Sequence, residues 1–180
     1  MDCREEVAEM GNGVLSKFPV KASGTVFYDV PYDTNFVDKA DFTQAPRNLQ
    51  HACVEVGGNV VNVFNTQGIW GLDGYDNERR LNMARMIAKE IGDKKNVVLA
   101  GDFNVKEGTE TVAVIENRLL NVFKGELKSS FNMKWKVNPN FATAVVDMVF
   151  ISQDIKVIQH YMPKVNVSDH RPLVAVLEVS

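Results

Sequence analysis

Short apolar runs separated by turn residues make up most of the chain, and they predict more strands than helices. The run Val60–Phe64 is too apolar to alternate with polar residues, which indicates a strand buried on both faces. Gly57 and Gly58 separate two of the runs and predict a two-residue hairpin turn, because both positions need a positive φ. The predicted strands are Gly13–Phe18, Gly24–Val30, Leu49–Val56, Asn59–Asn65, Asn96–Ala100, Val145–Ile151, Ile155–Tyr161 and Leu173–Val179.

Two stretches have a helical spacing of apolar residues instead. The first helix is predicted to begin at a cap, Asp76 or Asn77, and to end near Ile91, before Gly92. Thr109 is predicted to cap a short second helix. Residues 31–47 are predicted as a loop. The inward positions are Leu81, Ala84, Ile87, Ala88 and Ile91 in the first helix, and Val112, Ile115 and Leu119 in the second.

Both helices lie between strands, so the pattern predicts an α/β or α+β fold. Two packed β-sheets with helices outside them are the simplest arrangement. The chain has 180 residues and is 45% hydrophobic, which suits one packed domain spanning 1–180. The two cysteines, Cys3 and Cys53, exclude a disulfide framework and match no zinc-site spacing. No segment has the apolar length of a signal peptide or a transmembrane helix, so a cytoplasmic location is expected.

The net charge of −3 argues against a protein that binds nucleic acid through its overall charge. Any contact with DNA would have to come from a local basic patch. One candidate is the segment 124–136, in which lysines interleave with Phe131 and Trp135. It suits a phosphate backbone with stacked bases, or else is a solvated loop with two core aromatics. Nucleic acid is therefore a possible partner, and a small phosphorylated or lipid substrate stays open.

Polar side chains concentrate at the ends of the apolar strands, which predicts a site on one rim of the sheet core. Each group alone has a simpler explanation; Gly-Asp-Phe-Asn at 101–104, for example, is also a common turn sequence. Their combination and order favour a site. The residues are Asn65, Gln67, Asp102, Asn104, Asp147, Asp169 and His170.

Five segments in this order resemble motifs of the endonuclease/exonuclease/phosphatase superfamily, which includes exonuclease III, AP-endonucleases and pancreatic deoxyribonuclease. The resemblance covers residues 11–179 and implies a four-layered sandwich, with two sheets face to face and helices outside both. The segments are GNGVLSKFP at 11–19, VFNTQ at 63–67, GDFN at 101–104, VDMVFIS at 146–152 and SDHRPL at 168–173.

The resemblance implies a hydrolase of phosphodiesters or phosphomonoesters that uses Mg²⁺ or Mn²⁺. By this resemblance Asp169 is a metal ligand. His170 faces the scissile phosphate as a base or as a stabiliser of charge. Asp147 accepts the other imidazole N–H and so sets the tautomer. A positioned metal ion and a positioned water are what phosphate ester hydrolysis requires.

The remaining groups are assigned in the same way. Asp102 is implied to orient or deprotonate the attacking water, and Asn104 to hold Asp102 and a phosphate oxygen. Asn65 and Gln67 are implied to bind the phosphate. The family has a histidine where this chain has Gln67. An amide cannot act as a general acid near neutral pH, but it can donate hydrogen bonds.

The chain also departs from the family's pattern at its beginning. In the family, a strand with Asn and a strand with Gln-Glu precede the first motif. Only ten residues precede Gly11 here, and Glu5, Glu6 and Glu9 stand in a different context. We therefore expect a chain lacking the N-terminal part of the domain, with weak Mg²⁺ binding and self-association through an uncovered sheet edge. A fragment of an active enzyme and a binding module without turnover are the alternatives. DNA, RNA, phosphoinositide, sphingolipid and small phosphodiesters all stay open as substrates.

Overall fold

The computed structural model describes residues 11–32 and 41–179. Short 3-10 segments are formed by Phe42–Gln44 and Pro139–Thr143. No helix in these ranges is long and apolar enough to cross a membrane. The strands and helices are β1 (Val20–Phe27), β2 (Asn48–Val56), β3 (Asn59–Gln67), α1 (Glu78–Ile91), β4 (Val97–Asp102), α2 (Glu110–Glu116), β5 (Leu120–Asn121), β6 (Asp147–Ile151), β7 (Ile155–Tyr161) and β8 (Val174–Val179).

The larger sheet has six strands in the order β1-β2-β3-β4-β6-β5. Its pairs are antiparallel except β3 with β4, which run parallel because α1 carries the chain back between them. The register places Gln67 opposite Asp102, and Asp102 opposite Asp147. Three polar residues thus lie in one row across three adjacent strands.

The predicted hairpin between β2 and β3 is confirmed, with positive φ angles of 57° at Gly57 and 85° at Gly58. Both faces of β3 carry a buried residue, Val61 on one and Phe64 on the other. Val60, at the beginning of the strand, is 49% exposed, so the prediction of burial on both faces holds only for the middle of β3.

The helices cover one face of the six-stranded sheet. Ile87 and Ile115 pack there with Phe64 and Leu99 in the largest apolar cluster. Asn77 caps α1, as one of the two alternatives predicted, and its side chain accepts a hydrogen bond from the Arg80 N–H. The inward stripe of α1 is shifted from the prediction. Its buried residues are Arg80, Met83, Ala84, Ile87 and Ile91, whereas Leu81 and Ala88 are only partly buried.

Asp76, the other candidate cap of α1, serves α2 instead. Its carboxylate accepts hydrogen bonds from the backbone N–H groups of Glu110 and Thr111, at 2.9 Å each. Thr109 occupies the predicted N-cap position, but its side chain caps nothing and donates to the Lys106 carbonyl. The loop before α1 is therefore attached to the beginning of α2, close to the end of β4.

The smaller sheet consists of β7 and β8, paired antiparallel. It packs against the other face of the six-stranded sheet, where Ile155 and Leu177 meet Val149 and Ile151. The predicted arrangement of two packed sheets in a mixed α/β fold is confirmed. A helical layer outside the smaller sheet is not among the elements of the described residues.

The strand predicted at Gly13–Phe18 is wrong. Residues 11–19 form no strand, and β1 begins only at Val20, after Pro19. Side-chain hydrogen bonds hold this segment in place of a strand ladder: Asn12 donates to Asn48, and Asn65 donates to the Gly13 carbonyl. Leu15 is fully exposed, so the apolar pattern here has no packing partner among the described residues. The next predicted strand, Gly24–Val30, is observed in part and ends at Phe27.

Candidate active site

The end of β4 brings the first acidic side chain of the site into place. Gly101 precedes it with a φ of 149°, and a Cβ atom built there would lie 2.0 Å from the Thr66 carbonyl oxygen. Only glycine allows the two parallel strands to approach so closely. Phe103 is fully buried behind the turn. The chain therefore presents Asp102 and Asn104 on the same side, while Phe103 anchors the turn in the core.

Both carboxylate oxygens of Asp102 accept hydrogen bonds. Oδ1 accepts the backbone N–H of Asn104 at 2.8 Å, and Oδ2 accepts from Gln67 Nε2 at 3.3 Å. Burial, and then the negative charge of Asp147, raise the pKa of Asp102 to about 6. The Asn104 hydrogen bond and the positive charges of His170 and Arg47 act in the opposite direction. Asp102 consequently changes its protonation state close to neutral pH.

Asp147 and His170 form a hydrogen-bonded pair beside Asp102. His170 Nδ1 lies 2.8 Å from Asp147 Oδ2, and the imidazole packs on the Phe131 ring at a centroid distance of 4.5 Å. Burial lowers the pKa of His170, but the hydrogen bond to Asp147 and the charges of the neighbouring carboxylates outweigh it. The net result is a pKa above the usual 6.5. The pair favours the imidazolium form.

Asp102, Asp147 and His170 each offer an atom that can bind a metal ion, and these atoms all lie within 4.8 Å of one another. The two carboxylates repel each other, and this repulsion adds to the larger effect of burial in raising the pKa of Asp102. A divalent cation between them would remove that repulsion. Carboxylate oxygens suit Mg²⁺ or Mn²⁺, while Nδ1 of His170 is already engaged with Asp147. By charge and donor type, the two carboxylates fit such an ion.

The other predicted residues have different contacts. The Asn104 side chain donates to the Gly68 carbonyl at 2.9 Å, while only its backbone N–H holds Asp102. Asn65 donates to the Gly13 carbonyl at 3.1 Å. Asp169, the predicted metal ligand, forms an ion pair with Lys136 at 2.9 Å, which lowers its pKa. It is not part of the three-residue cluster.

Sequence reasoning missed two residues that act on the site. Arg47 lies in the predicted loop directly before β2, and its charge interacts with Asp102. Burial lowers the pKa of Arg47, and Asp102 raises it. No sequence signal distinguishes this arginine from a solvated loop residue. Only the pairing of β2 with β3 brings it toward the end of β4.

The second is Ser130, which is fully buried. Its Oγ accepts the backbone N–H groups of Val146 and Asp147, at 3.0 and 3.2 Å. Its carbonyl accepts the N–H of Arg171 at 2.8 Å. One residue thus joins the beginning of β6 to the segment that carries His170. The Asp147–His170 pair depends on this connection between elements more than 20 residues apart in sequence.

The family model described as "Endonuclease/Exonuclease/phosphatase family" matches residues 5–170. This chain belongs to the endonuclease/exonuclease/phosphatase family. The match includes every residue of the Asp102, Asp147 and His170 cluster. Proteins of this family are hydrolases that include phosphatases, nucleases and phosphodiesterases. No curated protein sequence matches the chain.

Solved structures of the endonuclease/exonuclease/phosphatase family share the fold. A mannosyl-6-phosphatase from Bacteroides thetaiotaomicron superposes with a TM-score of 0.67 at 21% identity, over 89% of this chain and 67% of that one. A family member from Bacteroides vulgatus gives 0.69 at 20% identity, over 91% and 67%. TDP2 from D. rerio, complexed with a single-strand DNA product, gives 0.65 at 16%, over 89% and 68%. The chain thus spans about two-thirds of these relatives' length.

Proposed function

We propose that this chain hydrolyses phosphate esters with the help of Mg²⁺ or Mn²⁺, and that Asp102, Asp147 and His170 form the reacting centre. The observation that carries the proposal is the cluster itself. Two carboxylates at the ends of adjacent strands and an imidazole from the segment before β8 offer atoms within 4.8 Å of one another, in a family of phosphate ester hydrolases. Packing alone gives no reason to bring two carboxylates so close together, since their repulsion opposes it.

Asp102 is the proposed general base. With a pKa of about 6 it is ionised at neutral pH, yet still basic enough to take a proton from water. The water oxygen would attack phosphorus, and the bond from phosphorus to the leaving group would break; the leaving group departs as an alkoxide and takes a proton from solvent. Asn104 and Gln67 support this role, because each hydrogen-bonds one carboxylate oxygen and together they set its orientation.

His170 is the proposed stabiliser of negative charge. Asp147 holds its Nδ1 and favours the cationic ring. The other ring nitrogen, Nε2, has no hydrogen bond within the described ranges, so it can donate to a phosphate oxygen. Charge develops on those oxygens during the reaction, and a preorganised donor is worth most in a partly buried site.

A bound divalent cation would polarise the phosphate and offset its charge. Asp147 would hold the ion, and Asp102 beside it would stay free of the ion to act as the base. Asp169 is a further proposed ligand, but its carboxylate is ion-paired to Lys136, so metal binding there competes with an ammonium group. Asn65 and Gln67 are the proposed phosphate-binding amides. Each has a second N–H beyond the one that it donates to Gly13 or to Asp102.

The test is a hydrolysis assay on the whole chain with 4-nitrophenyl phosphate and bis(4-nitrophenyl) phosphate, a monoester and a diester. The relatives justify both, since one is a mannosyl-6-phosphatase and another was solved with a DNA product. We expect turnover with Mg²⁺ or Mn²⁺ that EDTA abolishes. Asp102→Asn and His170→Gln should each lower kcat at least about 100-fold.

The matched control is His160→Gln. His160 also lies 2.8 Å from a carboxylate, that of Glu126. His160 is on β7 and is not part of the cluster. Activity that survives His170→Gln and Asp102→Asn would contradict the proposed centre. Tight binding of phosphate esters, without turnover in the presence of any divalent metal ion, would favour the alternative, which is a binding module that keeps the family's fold.

A further inference from the structure

A pocket lies directly beside the candidate active site. Its volume is about 550 Å³, and it is bounded by the segments 128–134 and 162–166 together with Ala142 and Arg171. Phe131, Met133 and Met162 give it an apolar lining. The Phe131 ring also packs on His170, so one side chain belongs to the pocket and to the site.

The charge of this pocket differs from that of the whole chain. Four of its lining residues are cationic and none is acidic, although the chain has 20 lysines and arginines against 23 acidic residues. The four are Lys128, Lys134, Lys164 and Arg171. Cations gathered in one concave surface focus a positive potential on it.

These four cations have no anionic partner within the described ranges. Lys21, Lys124, Lys136 and Lys156 each form an ion pair with a carboxylate. Lys128, Lys134 and Lys164 form none, and the Arg171 side chain makes one hydrogen bond, from Nε to the Phe131 carbonyl.

The walls of the pocket are held in place by hydrogen bonds. The buried Asn132 donates to the Asn166 side chain and to the Ser168 carbonyl, at 2.8 Å each. Trp135 Nε1 also donates to Asn166, at 2.8 Å. The neighbouring carboxylate, Asp169, is neutralised by Lys136. The pocket is thus an open concavity with fixed walls, and its positive charge is not opposed by a carboxylate in its lining.

We infer that this pocket binds a second phosphate group of the substrate, next to the one that is hydrolysed. The unpaired cations around the cavity recognise the anion, and the apolar lining receives the body that joins the two phosphates. The statement that the bound phosphate belongs to a substrate rests on the proposed function. The statement that the pocket binds phosphate is independent of it.

The binding test is an NMR titration of the whole chain with inorganic phosphate at constant ionic strength. We expect shifts of the backbone amides in 128–134 and 162–166, also in His170→Gln. The double variant Lys134→Gln/Lys164→Gln should bind about three- to tenfold more weakly. Lys156→Gln removes a lysine that is paired with Glu178 and should change nothing. Absent shifts, or shifts that the double variant leaves unchanged, would overturn the inference.

Two ligands then separate the possible sources of the phosphate. A sugar bisphosphate represents small substrates, and a phosphorylated dinucleotide represents nucleic acid; the one that binds more tightly than inorganic phosphate identifies the source. In the hydrolysis assay, the double variant should keep kcat and KM for 4-nitrophenyl phosphate. Pocket binding without hydrolysis would refute the proposed function alone. Hydrolysis without pocket binding would refute this inference alone.

Discussion

His170 Nδ1 lies 2.8 Å from Oδ2 of Asp147, a residue that precedes it by 23 positions and begins β6. The pair keeps the imidazole charged in a place where burial alone would favour the neutral ring. Both side chains are largely shielded from solvent, so the interaction is weakly screened.

The first prediction is that Asp147→Asn lowers the pKa of His170, because burial then acts with less opposition. An NMR titration of the imidazole protons in metal-free protein measures it. Glu126→Gln, which removes the carboxylate beside His160, should leave the His170 titration unchanged. A His170 pKa that stays above 6.5 in Asp147→Asn would mean that Asp102 and Asp169 suffice to hold the charge.

The loss of stability caused by Asp147→Asn should depend on pH. A raised folded-state pKa gives His170 a stabilising contribution that is complete below its unfolded pKa and is lost as pH rises through the folded value. Asp147→Asn should therefore cost about 1.5–3 kcal/mol near about pH 5.5 and less at about pH 9. Urea unfolding at both values tests this; an equal loss at both would contradict the assignment.

Asp102 gives a second pH-dependent prediction. Its pKa is raised from 3.8 to about 6, so ionisation destabilises the folded chain as pH rises between these values. Asp102→Asn removes that effect, and the variant should gain about 1–3 kcal/mol relative to wild type between about pH 4 and pH 7. Unfolding of metal-free protein measures the gain. A constant difference across this range would show that Asp102 titrates normally.

Ser130→Ala should destabilise the chain by about 1–3 kcal/mol, because it leaves the N–H groups of Val146 and Asp147 without their buried acceptor. It should also lower kcat, since Ser130 joins the segments that carry Asp147 and His170. The control is Ser16→Ala, whose hydroxyl contacts only exposed Phe18. Full activity in a destabilised Ser130→Ala would limit Ser130 to a role in folding.

Gly101→Ala should prevent normal pairing of β3 with β4. The added Cβ would lie 2.0 Å from the Thr66 carbonyl oxygen, and the φ of 149° is unfavourable for alanine, so a loss of about 3 kcal/mol or more is expected. Gly24→Ala on β1 meets nothing within 4 Å and should change stability by less than about 1 kcal/mol. Chemical denaturation of the two variants makes the comparison.

Local sequence was sufficient for much of the fold. Gly57 and Gly58 adopt the positive φ angles that the hairpin needs, and Asn77 caps α1 as one of two alternatives. The strand predicted at 13–18 failed for a physical reason. The segment at 13–18 has an apolar pattern but no partner strand among the described residues, and Leu15 is exposed. A strand requires a neighbour, which a local pattern cannot provide.

By itself, the sequence determined which residue types are available and where along the chain the polar groups interrupt apolar strands. Those positions, read with the family motifs, were enough to select Asp102, Asp147 and His170. Only the tertiary structure decided their partners: Arg47 and Ser130 at the site, and Lys136 on Asp169. The register of β3, β4 and β6 sets the row of Gln67, Asp102 and Asp147. Distances and charges between side chains depend on pairing across the sheet, and this pairing joins residues that are remote in sequence.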